Sequence, residues 1–329
     1  MTSAASAVPS AAARRRWLAA GIILGLAIAV LAFGLHRLAN RHEFVEHKMD
    51  DPHDIPTAIA AAPDGSVWFT IDAASAVGRV RDGRVIRLRK PTENLEPIGL
   101  AVAADGSAWF TDGPAKQVSR MTPAGELTSV TLEMPIARLG GVAVAADGAV
   151  WFAEGSAYSI TRLKDGALKR HVIESVRGGP YGVAVGPDGS VWATLQAANQ
   201  LLRIAPDGTM RAFDIPTRGS SPSDVRVDAQ GVVWFLEFRG NKLGRLEGDK
   251  FEEYQLGEQN VGPTGLAVAP DGVVWFGMLR TGSLGRFQDG KIRAVKLPRE
   301  NARPYGVALD AAGNVWYTDI SGYVGMLER

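Results

Sequence analysis

Seven tryptophans recur at an almost constant interval, at Trp68, Trp109, Trp151, Trp192, Trp234, Trp275 and Trp316, with gaps of 41, 42, 41, 42, 41 and 41 residues. A period near forty with one aromatic residue per unit is the signature of a β-propeller. Each unit opens with a variant of P-x-G-V-A-V-x-x-D-G-x-V-W-F, as in Pro97-Ile98-Gly99-Leu100-Ala101-Val102 followed by Asp105-Gly106 and Trp109-Phe110. Asp-Gly between two short β-favouring runs marks a hairpin, because the turn needs residues that tolerate positive φ. A third run such as Leu243-Gly244-Arg245-Leu246 and a fourth such as Lys250-Phe251-Glu252-Glu253-Tyr254 complete the unit. Four short antiparallel strands make one blade, so the expected fold is all-β: a seven-bladed propeller of four-stranded blades.

Residues Val324 to Leu327 read as the third strand of unit seven, and Glu43 to Met49 resembles the fourth strands elsewhere. The sequence therefore predicts that an N-terminal strand completes the last blade and that residues 43–329 form one propeller. Ahead of it, Arg14-Arg15-Arg16 precede 19 residues without a charge, Trp17 to Leu35. As a helix this stretch is about 28 Å long, close to the hydrocarbon thickness, and the arginines place its leading end in the cytoplasm. The expected organisation is a cytoplasmic tail at 1–16, a transmembrane signal anchor at 17–36, a linker at 37–42 and a propeller outside the cytoplasm. A cleaved signal peptide is the rival reading, but His36-Arg37-Leu38-Ala39-Asn40 is a poor cleavage site.

There are no cysteines, which excludes disulfides, a thiol nucleophile and a Cys-based zinc site. Of the 36 Lys and Arg, five lie before residue 43, leaving 31 against 35 acids and a net charge of −4 on the propeller. That balance argues against nucleic-acid binding, which needs a basic face.

Two positions per unit are expected to converge on one mouth of the channel. The x of P-x-G gives Thr57, Ile98, Gly140, Tyr181, Ser223, Thr264 and Tyr305; the third residue after the tryptophan gives Asp112, Glu154, Glu237 and Asp319, with Asp72 in unit one. Inter-blade loops add His53, Glu96 and Arg303. Hard cations take oxygen ligands, so Asp112, Glu154 and Asp319 are candidate ligands for Mg²⁺ or Ca²⁺. Asp319, Glu154 and Glu237 are candidate acid/base groups. Tyr181, Tyr305, Thr264, Ser223, Arg303 and His53 are candidate ligand contacts. The arginine that recurs on the third strand, Arg79, Arg120, Arg162, Arg203, Arg245 and Arg286, reads as a packing element.

The repeated D-G-x-V-W-F strand, the P-x-G opening and the L-G-R-L third strand together resemble the virginiamycin B lyase (streptogramin lyase) family across residues 43–329. The resemblance implies an enzyme that opens a cyclic depsipeptide at its ester by elimination, assisted by Mg²⁺. It also implies histidines at the x of P-x-G in the last two blades, an acid two residues before the later one, and an acid three residues after the last tryptophan. Those places hold Thr264, Tyr305, Arg303 and Asp319. Three functions are therefore weighed: an anchored propeller binding a small molecule, glycan or peptide at an acidic mouth; a metal-assisted lyase or lactonase; and a scaffold for another envelope protein.

Overall fold

The computed structural model describes residues 43–329, apart from 73, 75, 90–95, 134–137 and 175–178. The expected tail, membrane anchor and linker at 1–42 lie outside the described residues. Among the described residues no helix is long and apolar enough to cross a membrane.

Residues Phe44–Arg329 form a unit built of seven four-stranded antiparallel sheets. Blade one consists of Ile55–Ala61, Val67–Asp72, Ala76–Arg81 and Arg84–Arg89, ordered from the inner strand outward, and the following blades repeat the order. Blade seven holds Pro304–Leu309, Val315–Asp319 and Tyr323–Leu327, and its fourth strand is Phe44–Lys48. Phe44 lies opposite Leu327 and Lys48 opposite Tyr323, so the first described strand pairs with the last.

The repeat motif explains the blade. In the Asp-Gly hairpins the glycines take positive φ, for example +80° at Gly65 and at Gly106, which L side chains rarely adopt. Six of the seven repeat tryptophans are buried, Trp68 and Trp275 at 0% and 1% exposure, and Trp109 is half-buried. Over five of them lies the recurring arginine, its Cζ 4.9 Å from the ring centroid at Trp68 and 5.7 to 6.0 Å at Trp151, Trp192, Trp234 and Trp275. In four blades this guanidinium reaches back to the hairpin aspartate, Arg79 to Asp64 and Arg120 to Asp105 at 2.5 Å, Arg162 to Asp147 and Arg203 to Asp188 at 2.9 Å, whereas Arg245 pairs with Glu247 and Glu252 and Arg286 bonds Gln288. The first four arginines couple the third strand to the first hairpin, which is the packing role the sequence indicates.

The glycine of L-G-R-L has an equally local cause. Phe69, Phe235, Phe276 and Tyr317 lie opposite Gly78, Gly244, Gly285 and Gly325. Each ring covers its glycine so closely that a Cβ at Gly244 would stand 2.1 Å from Phe235. Blade four inverts the pair: Ala193 faces Leu202, and the bulk moves to the third strand. Total volume between the strands is kept, as close-packed interiors require.

Candidate functional site

Inner strands crowd one another around the channel. A Cβ on Gly182 would lie 2.6 Å from the carbonyl oxygen of Ser223 in the next blade, and one on Gly306 would lie 2.4 Å from that of Thr57. Small residues at the third place of the inner strand are thus dictated by strand-to-strand contact. Where these strands begin, the channel opens into a cavity of about 550 Å³. That volume suits a drug-sized or short peptide ligand.

Of the seven x positions of P-x-G, Gly140 does not line the cavity and the other six, Thr57, Ile98, Tyr181, Ser223, Thr264 and Tyr305, do. Tyr181 meets the hydroxyl of Tyr305 and the charge of Asp224, and burial first, then these two groups, push its phenol well above the usual tyrosine range. It is therefore a neutral hydrogen-bonding group at any physiological pH. Thr264 is nearly buried and donates to the Pro304 carbonyl at 3.0 Å.

The acids at the end of the second strand behave differently. Asp72 lines the cavity; Asp112, Glu154, Glu237 and Asp319 do not. This corrects the expectation of one acidic rim containing all five. Register supplies the reason: Asp112, Glu237 and Asp319 lie opposite the buried prolines Pro97, Pro222 and Pro304, and Glu154 lies opposite Leu139. The inner strand stands between them and the channel, and all four are 0% exposed.

Each of these buried acids has its own surroundings. Asp112 accepts from the Ala115 amide at 3.0 Å. Glu154 accepts from Thr161 and pairs with Arg170 at 3.1 Å. Asp319 accepts from Arg299 Nη2 at 2.6 Å and the Arg303 amide at 2.8 Å through one oxygen, and from the Ser321 amide and hydroxyl through the other. Glu237 is the exception. Among the described residues neither of its oxygens has a hydrogen-bond partner; Glu253 and Ser220 approach without completing a bond of normal geometry. Burial, reinforced by the Glu253 charge and opposed by Lys242, pushes its carboxyl up to about 8.

Arg303 and His53 are exposed and do not line the cavity; His53 is held to Asp51 at 3.1 Å. Among the described residues no three His, Cys, Asp or Glu side chains form a group able to hold a metal ion. Asp112, Glu154 and Asp319 are therefore not brought together, and both oxygens of Asp319 are already engaged.

Two charged cavity residues were not among the sequence candidates. Blade five begins Pro222-Ser223-Asp224-Val225-Arg226, with an acid where other blades have glycine or alanine and an arginine where all six have alanine. Asp224 and Arg226 both line the cavity and pair at 2.6 Å. Their signal in the sequence is a departure from the repeat rather than a match to it.

Fold and site together define a seven-bladed propeller with a ligand-sized cavity at the start of its inner strands. The chain belongs to the virginiamycin B lyase family, whose model matches residues 31–173 and 102–329. The virginiamycin B lyase of Nocardia farcinica is 35% identical over 200 residues, covering 59% of this chain and 67% of that one. A streptogramin B lyase structure superposes with a TM-score of 0.83 at 26% identity, over 87% of this chain and 97% of its own. A catalytically inactive virginiamycin B lyase from Staphylococcus aureus, solved with quinupristin, superposes with a TM-score of 0.83 over 88% of this chain and all of its own. At 24% identity that last likeness speaks for the fold alone.

Proposed function

We propose that this propeller is a binding protein, anchored through residues 17–36 in the cytoplasmic membrane with the propeller outside the cytoplasm. Its ligand is a small molecule, glycan or peptide held in the channel cavity. The observation that carries this reading is the cavity lining itself. Thr264 and Tyr305 supply hydroxyls where the family resemblance implies imidazoles, so the side chains at those two places are not the imidazole bases that an elimination would use. Asp72, Glu96 and Asp224 give the cavity an acidic balance against Arg226. Tyrosines are suited to such a site because each joins a large apolar face to a polar tip.

The full chain would be titrated calorimetrically with quinupristin, a lactone, oligosaccharides and short peptides, with and without Mg²⁺ or Ca²⁺. Products would be followed by chromatography. Binding of one class without turnover, weakened about tenfold or more by Tyr181→Ala, is the expected result. Opening of the quinupristin or lactone ester would replace this reading with the lyase or lactonase alternative, which family membership favours. Absence of any binding would leave a docking face for an envelope protein. Anchoring is tested separately: the chain should resist alkaline extraction from membranes, and a form lacking residues 1–42 should not.

A further inference from the structure

We propose that Arg226 is an anion anchor of the channel cavity, so that the ligand carries a carboxylate or a group of the same fork-accepting geometry. This rests on the cavity-binding reading above and adds the chemical class.

The first ground is positional. The fifth residue of the inner strand is Ala60, Ala101, Ala143, Ala184, Ala267 and Ala308 in six blades and Arg226 in blade five. None of those alanines lines the cavity, whereas Arg226 does, so its side chain extends into space the others leave to the mouth. A bulky charge thus stands at a place where the other six blades keep a small residue. Breaks in a repeat without a structural gain are where function is expected.

The second ground is how the guanidinium is held. Arg226 Nη1 donates to Asp224 Oδ1 at 2.6 Å and to the Val225 carbonyl at 2.8 Å. Asp224 is itself fixed: Oδ1 also accepts from the Val225 amide at 2.9 Å, and Oδ2 accepts from the Leu266 amide of blade six at 2.8 Å. The carboxylate sits at the seam that elsewhere holds glycine or alanine, and the neighbouring Gly265 takes φ +39° beside it. One nitrogen of the guanidinium is thus clamped while Nη2 and Nε make no hydrogen bond with the described residues. The side chain of Arg226 is 39% exposed. A planar, permanently charged fork with two donors left is suited to bidentate binding of a carboxylate. Tyr181, beside Asp224, offers an aromatic face and a neutral hydroxyl to the rest of the ligand.

The probes are 4-hydroxyphenylacetate and 4-hydroxyphenylacetamide, which share ring and size and differ in charge. Calorimetry on the full chain should show the carboxylate binding about tenfold tighter than the amide, the scale of a charge-assisted hydrogen bond. Arg226→Ala installs the residue of the other six blades; near-ultraviolet dichroism of the tryptophans should be unchanged. In that variant the carboxylate should fall to the level of the amide while the amide stays put. Arg226→Lys, which keeps the charge and loses the fork, should retain part of the preference. A preference undiminished in Arg226→Ala overturns the anchor. Equal binding of both probes to the native chain, abolished by Tyr181→Ala, overturns it too while leaving the cavity reading intact. If neither probe binds at about 10 mM, the anchor is overturned, and the ligand panel above judges the cavity on its own.

Discussion

Glu237 shows what a single residue costs when the fold buries it with no hydrogen-bond partner among the described residues. The second strand of blade five carries it to a dry place beside Glu253, and an isolated ionised carboxylate there would be prohibitively unfavourable, so it stays protonated. The sign of its effect on stability follows. Its folded value, about 8, lies above the ordinary value of 4.5, so between those limits the native state holds a proton that the unfolded chain has released. Stability falls as pH rises through that window, by at most about 1.4 kcal/mol per pH unit, and levels off above the folded value. Glu237→Gln removes this dependence. Urea midpoints measured from pH 5 to pH 9 should decline less steeply in the variant than in the native chain, and the two should differ most at the alkaline end. Parallel curves would mean that the carboxyl is hydrated and titrates normally.

Strands obey tighter rules than any one side chain. The Phe-over-Gly pairs predict that Gly244→Ala overpacks blade five and costs about 2 kcal/mol, and that Phe235→Ala leaves a cavity costing about 4 kcal/mol. Blade four indicates the remedy, since Ala193 faces Leu202 there. Phe235→Ala combined with Gly244→Leu should recover much of the loss, and denaturant midpoints of Phe235→Ala, Gly244→Leu and the double form the cycle that checks it. This level is also the one the sequence discloses best. The tryptophan recurs in all seven blades, the Asp-Gly turn before it in five and the P-x-G opening in four, each reflecting a backbone or packing need, so periodicity alone exposes them. The site is less legible. Tyr181, Ser223, Thr264 and Tyr305 are found because a place in the repeat fixes a place at the mouth. Asp112, Glu154, Glu237 and Asp319 share a strand end, but strand position does not say which side of the inner strand a side chain occupies. Asp224 and Arg226 escape a reading built on consensus, because each is visible as an exception to it.

At the scale of the whole ring the question is what holds the last blade to the first described strand. The strand Phe44–Lys48 is joined to blade seven by its ladder and by Glu46, which accepts from the Tyr317 hydroxyl at 2.8 Å and from Arg299 Nε at 3.0 Å. Arg299 also binds Asp319, so one guanidinium ties an N-terminal acid to a C-terminal one. The same network raises the Tyr317 phenol far above its ordinary value, chiefly by burial and then by the Glu46 charge. A ring whose units bury their faces only against neighbours loses support on two sides when one joint opens. Arg299→Ala leaves two largely buried carboxylates uncompensated and should cost about 3 kcal/mol. The control is Arg170→Ala, which strands buried Glu154 within a single blade. Both variants are expected to lower the melting midpoint, but hydrogen exchange should separate them. Amides of 44–48 and 323–327 should lose protection in Arg299→Ala and keep it in Arg170→Ala, whose losses stay near 150–172. If both variants shed protection around the whole ring alike, the chain-end pairing is no special joint, and the propeller opens at every blade with equal ease.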